Sequence, residues 1–191
     1  MTTTSQDPTG PIAPATEGGP PPRTGLRLPA GTWRLDPRRT SITATVRAMF
    51  GLFAVKGSLV LLEGTVHADN DATRSTVHAV VDASSFSSGN ASRDRDVVGP
   101  ALLDAGAHPN LSFDSSAVST DADGWRVTGI FGAHGATATA DLRLCQVTVG
   151  GAVATFRADG FLDRYEFGVT AKRGMVGRRV GLSVDAVALP V

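Results

Sequence analysis

From Gly31 to the end of the chain, apolar and polar side chains alternate with a period of two, the signature of a half-buried strand. In "TSITATVRAM", Ile42, Ala44, Val46 and Ala48 share one face, opposite Ser41, Thr43, Thr45 and Arg47. "STVHAVVDA" sets Val77, Ala79, Val81 and Ala83 against Thr76, His78, Val80 and Asp82. "ATATADLRL" groups Ala136, Ala138, Ala140, Leu142 and Leu144, and "VGLSVDAVAL" groups Val180, Leu182, Val184, Ala186 and Ala188. Turn-forming clusters separate these runs: "ADNDAT", "DADG", "GAHG" and "VGG". The pattern predicts eight to ten antiparallel strands with tight connections, hence an all-β barrel or sandwich.

One stretch breaks the alternation. Residues 90 to 109, "NASRDRDVVGPALLDAGAHP", read as a short helix capped by Asn90, interrupted at Gly99-Pro100, followed by a second helical turn that stops at Gly106. Val97, Val98, Leu102 and Leu103 give it an apolar underside. His108-Pro109 then forces an extended backbone into the strand "NLSFDSS". An insertion of this size suits a lid across the open end of a barrel.

The faces expected to point inward are rich in Ala and Val, with only scattered Phe and Leu. An eight-stranded barrel filled by its own side chains wants bulky residues, and small ones leave room for one ligand. A flattened sandwich also tolerates small residues, and the alternation alone does not choose. Arg47, opposite the Ile42 face, is expected to be exposed.

Composition narrows the class. Basic and acidic residues balance at eighteen each, for zero formal net charge. Zero charge argues against nucleic-acid binding and removes any overall attraction to anionic lipid headgroups. Cys145 is alone, so no internal disulfide or four-cysteine zinc site can form, and it is expected to act as a small hydrophobe in a strand. No apolar run approaches the ~20 residues of a membrane-spanning helix, so integral insertion is not expected. Residues 1–30 hold seven of the eleven prolines and almost no large apolar side chains. They are expected to form a disordered arm ahead of a barrel domain at 31–191. With no signal-like basic and apolar regions in that arm, a cytoplasmic location is expected.

At the insertion the sequence resembles the YceI-like, polyisoprenoid-binding family. The likeness is carried by Ser85, Asn90, Arg93, Asp94, Leu102, Leu103, Pro109 and Phe113 in "ASSFSSGNASRDRDVVGPALLDAGAHPNLSF". It continues through "GTWRLDPRRTSITATVRAMFGLFAVKGSL", "VTGIFGAHGATATADLRL" and "DRYEFGVTAKRG", where Arg164, Phe167 and Gly168 fit a late family signature. The resemblance implies a lipocalin-like antiparallel barrel of about eight strands, holding a long isoprenoid chain in its tunnel, in proteins that often dimerise. The chain departs from the family at Ala48, where a His is usual, at Ala44, where a Phe is usual, and at Asp96, where the helix usually has a His.

The chemistry-bearing residues favour carriage over catalysis. His67, His78, His108 and His134 lie apart in sequence, and no nucleotide, zinc-protease or nucleophile-elbow motif occurs. Neither a metal nor a cofactor is expected. The expected ligand is a polyisoprenoid, an isoprenoid quinone or a similar apolar small molecule. Its expected walls are Ile42, Ala44, Val46, Leu59, Val77, Val81, Leu111 and Phe113, with Leu102 and Leu103 closing the lid. Arg93 and Arg164 are either anchors for a polar head group or structural partners of the lid and barrel. An isoprenoid-modifying enzyme would need a polar group inside the lumen. A purely structural module would have a filled barrel.

Overall fold

The structure, a computed structural model, describes residues 28–121 and 124–191. The expected arm lies outside the described residues up to residue 27. Among the described residues nine strands form: β1 Gly31–Leu35, β2 Ser41–Ala48, β3 Phe53–Ala68, β4 Thr76–Ser87, β5 Asn110–Asp121, β6 Gly124–Ala133, β7 Ala136–Gly150, β8 Val153–Asp163 and β9 Val176–Pro190. One α-helix, α1 (Ala91–Val98), lies between β4 and β5.

All pairings are antiparallel, in the order β1-β3-β2-β9-β8-β7-β6-β5-β4, and β4 pairs back onto β3. Strands β2 to β9 therefore close an eight-stranded barrel, which leaves no free sheet edge around the ring. The remaining strand, β1, adds no position to it. Trp33 of β1 pairs with Val66 and Pro190, while Ile42 of β2 pairs with Leu59 and Val184. β1 and β2 thus sit end to end between the same two neighbours, separated by an excursion at residues 36–40.

Alternation holds over long stretches and then changes parity at bulges. In β3 the register shifts between Leu61 and Glu63, so Leu59 and Leu61 are buried before it and Gly64 and Val66 after it. In β7 the shift between Leu144 and Gln146 leaves Cys145 and Gln146 both exposed. Cys145 follows inward Leu144 and so faces outward by alternation itself, correcting the expected hydrophobic role.

Antiparallel order places the 49–52 hairpin, the 88–109 insertion, the 134–135 turn and the 164–175 loop at one end of the barrel. The other end is packed. Trp33 and Leu35 of β1 are buried with Val66, Ala154 and Ala188, and Leu28 folds against them. The Trp33 indole N–H donates to the Pro29 carbonyl at 3.0 Å, so its polar atom is satisfied there.

The insertion is less helical than its sequence implies. α1 forms as expected, with the Asn90 side chain accepting from the Ser92 and Arg93 amides. Gly99 is extended (φ −71°, ψ 171°), as a residue before proline prefers, and that ends the helix. The expected second helical turn is instead a run of turns, with Leu103 N–H donating to Val97 O, and Ala105 N–H to Val98 O. Asp104 takes a left-handed backbone (φ 47°), which prevents helix from continuing to Gly106.

Candidate functional site

The barrel encloses a cavity of about 410 Å³, within the usual size of small-molecule pockets. Ile42, Ala44, Val46, Leu59, Val77, Val81, Leu111 and Phe113 all line it, as do Leu102 and Leu103 from the insertion. Two features keep it open. The wall carries small side chains at Ala44, Ala79, Ala158 and Ala186. Two large rings also occupy space that glycines leave free in the wall. A methyl group at Gly57 would stand 2.2 Å from the Phe86 ring, and one at Gly129 would stand 2.7 Å from the Phe113 ring. The filled-barrel alternative does not describe this molecule.

Charged groups line the cavity only at the end covered by the insertion: Arg93, Asp96, Arg164 and Lys172, with His134 beside them. The insertion covers that end with its apolar side. Val98 and Leu103 pack with the barrel core, whereas Val97 and Leu102 pack with Phe167 and Val169 from the 164–175 loop. The lid thus closes by apolar contact with both the wall and the loop opposite.

Both arginines singled out in the sequence reach the cavity, and both are engaged by their own chain. Arg93 donates from Nε to Ser88 Oγ at 2.7 Å and from Nη2 to Ser88 O at 3.0 Å. Ser88 in turn is held by Asp94, which accepts from its hydroxyl and its amide. The Arg-Asp pair therefore ties the first turn of α1 to the end of β4. Arg164 is buried, and its guanidinium donates to Val169 O (2.7 Å), Gly177 O (2.9 Å) and Val176 O (3.0 Å). Burial lowers its pKa, yet a guanidinium stays charged at any ordinary pH. Its three bonds satisfy carbonyls on both sides of the 170–175 turn, and it lies 5.0 Å from the Tyr165 ring.

One connection across the mouth was not legible in the sequence. Lys172 Nζ donates to Asp96 Oδ2 at 2.6 Å, joining α1 to the loop opposite. Lys172 holds the Asp96 carboxyl below the usual carboxylate range. Both residues line the cavity and are exposed, so this ion pair is a latch on its rim. Phe86, Phe131, Phe156 and Phe167 also line the wall and were not among the expected contacts. Phe156 was readable, since it shares a face with Ala154 and Ala158; Phe86 lies in β4 beyond a register shift, at an even position of a strand whose alternation had favoured odd ones.

The histidines are dispersed, though less than the sequence implies. His78 contacts Asp114 at 2.6 Å, His67 contacts Thr32 at 3.0 Å, and the His108 and His134 rings approach to 5.7 Å between centroids. Among the described residues no cluster of three or more His, Cys, Asp or Glu could hold a metal. Cys145 donates to Asp159 at 3.3 Å, and burial together with that carboxylate raises its pKa. It is a protonated surface thiol. Arg47 is exposed, as its position opposite Ile42 requires.

A closed eight-stranded barrel, hollow and lidded by this insertion, has a sequence counterpart: the family model described as YceI-like domain matches residues 33–188. The chain belongs to the YceI-like family. No curated protein matches it by sequence. Its fold is similar to that of Burkholderia cenocepacia BcnA, with a TM-score of 0.70 at 23% identity, covering 80% of this chain and 98% of the other. It is also similar to a polyisoprenoid binding domain from Saccharophagus degradans implicated in plant cell wall breakdown (TM-score 0.61, 12% identity, 83% and 98% covered). The Campylobacter jejuni YceI protein matches with a TM-score of 0.55 at 18% identity, over 72% of this chain and 85% of the other. At these identities the likeness speaks for the YceI-like fold.

Proposed function

We propose that this YceI-like barrel binds and shields a long apolar ligand of the polyisoprenoid or isoprenoid-quinone class, acting as a carrier. The observation behind this reading is the distribution of polarity around the cavity: apolar walls along its length, and charge only at the lidded mouth. Such a site suits an amphipathic molecule with its tail inside and its head at the rim. The S. degradans neighbour, a polyisoprenoid binding domain, supports the ligand class.

The energetics favour chain length over head-group chemistry. Each buried CH₂ contributes roughly 0.8 kcal/mol, so a five-carbon isoprene unit adds about 2–4 kcal/mol and a few units suffice for tight binding. Arg93 and Arg164 already bond to their own backbone or to Ser88, which leaves any anchoring of the head to the rim as a whole. Head-group discrimination is therefore expected to be weak. No group in the cavity is placed as a nucleophile with its base, so binding accounts for the site better than turnover does. The cytoplasmic expectation rests on the N-terminal arm, whose residues 1–27 lie outside the described region.

Native mass spectrometry of freshly purified protein, together with uptake of a fluorescent prenyl probe, tests the proposal. Bound lipid and saturable uptake are expected. The variant Ala158→Trp, which puts a large ring into the lumen, should lower probe affinity by about tenfold or more while the fold persists, since the ring enters empty space. A ligand-free spectrum with no probe uptake, or uptake indifferent to Ala158→Trp, would count against it.

A further inference from the structure

The lidded end carries an exposed apolar tip that the cavity does not explain. The β2–β3 hairpin turns through Met49 and Phe50, both left-handed (φ 52° and 57°), closed by Gly51 N–H to Ala48 O at 3.1 Å. Tight hairpin turns of this hand ordinarily use Asn or Gly at these positions, because a side chain there strains the backbone. Here the turn presents Phe50 at 84% exposure, followed by Leu52 at 75% and Phe53 at 61%. Met175 from the neighbouring loop joins them, half-exposed, and the two loops are stitched by Met49 N–H to Met175 O (2.8 Å) and Phe50 N–H to Gly174 O (3.2 Å). The result is one contiguous apolar knob of a kind that usually marks an interaction site.

Charge identifies its partner. Segments 44–57 and 170–180 contain Arg47, Lys56, Lys172, Arg173, Arg178 and Arg179 and no acidic residue. Asp96 and Asp163 neutralise Lys172 and Arg178. Arg47, Lys56, Arg173 and Arg179 have no acidic partner within ion-pair distance among the described residues. With Lys172 and Arg178 neutralised, four positive charges remain around the tip of a chain that is formally neutral as a whole. Overall neutrality therefore conceals a local excess of positive charge at this end.

We propose that this end docks peripherally on an anionic lipid bilayer, with Met49, Phe50, Leu52, Phe53 and Met175 entering the interfacial layer and the surrounding basic residues meeting lipid phosphates. Apolar groups flanked by Arg and Lys are the composition such contacts use. The docked face adjoins the cavity mouth, so a ligand can pass between bilayer and barrel without crossing water. That passage rests on the proposed function; the docking does not.

Vesicle flotation of the full chain tests it, using phosphatidylcholine alone or with roughly a third phosphatidylglycerol. Wild-type protein is expected to float with the anionic vesicles and to be released by high salt. The double variant Phe50→Ser/Leu52→Ser should lose flotation while keeping its melting transition and prenyl-probe uptake from solution. Arg173→Gln and Arg179→Gln should each weaken partitioning about fivefold. The control Val60→Ser/Leu62→Ser, on the exposed outer face of β3, should leave it unchanged. The proposal is overturned by absence of wild-type flotation, by flotation indifferent to the tip variants, or by a control as damaging as the tip. It is equally overturned if the tip covers a second copy, seen as a wild-type dimer that the tip variants make monomeric without vesicle binding. Because probe uptake is read separately, failure of docking and failure of ligand binding give different results.

Discussion

At the end of the barrel away from α1, Trp33, Leu35, Val66 and Leu28 meet in a buried apolar cluster, with β1 paired to strands on both sides. At the lidded end, closure relies on a small apolar seam of Leu102 with Phe167 and Val169, together with one helix, a buried arginine bonded to backbone carbonyls, and an exposed ion pair. The first arrangement gains its stability from dispersion and burial, which reward a single close-packed state. The second buries less and adds polar contacts whose individual net contributions are small, so it can open without dissolving the barrel. The contrast assigns stability to one end and exchange to the other.

The largest test of that contrast is Trp33→Ala. Truncation at the packed end should cost about 3–5 kcal/mol in urea unfolding, a global loss with no selective effect on the lid. Arg164→Met comes next. Leaving the carbonyls of Val169, Val176 and Gly177 without their donor should cost about 2–4 kcal/mol. Its hydrogen-exchange signature should be concentrated in residues 168–177, and uniform loss across the barrel would contradict a local lock. Asn90→Ala removes the acceptor of two amides at the start of α1 and should cost about 1 kcal/mol. Probe release should quicken, while unfolding of the packed end, followed by hydrogen exchange in β1, stays unchanged.

The smallest effect is expected at the latch. Lys172 depresses the Asp96 pKa, so the ion pair is complete above the ordinary carboxylate range and is lost as pH falls through the lowered value. Wild-type protein should release probe faster over that acid interval. Asp96→Asn should show the faster rate already at neutral pH and lose the pH dependence arising from this group. Stopped-flow dilution of probe-loaded protein reads both, and identical profiles for the two proteins would remove the latch from the gate.

Much of the barrel was legible because alternation is a local property. Ile42, Ala44 and Val46 declare their face by spacing alone, and Leu111 and Phe113 do the same after His108-Pro109. The helical cap at Asn90 was legible for a similar reason, since its partners lie two and three residues away. The second helical turn was misread because propensity favours helix in "ALLDA", whereas its backbone bonds run to Val97, Val98 and Gly99 instead. Cys145 was misread on residue type, since alternation from Leu144 already sets it outside; what the bulge hid is that Val147, not Gln146, turns inward next, with no glycine or proline to announce it.

By itself, the sequence determined an antiparallel sheet with small inward residues and a capped insertion, since period, residue volume and capping act over a few neighbouring positions. Tertiary structure alone decided where parity reverses and which rings pack against glycines. It also decided that Asp96 meets Lys172 across 76 residues and that an apolar hairpin tip stands beside basic residues at the mouth. Those outcomes depend on strand register and on loops brought together by barrel closure, and no local pattern encodes a distance between residues that only the closed ring makes neighbours.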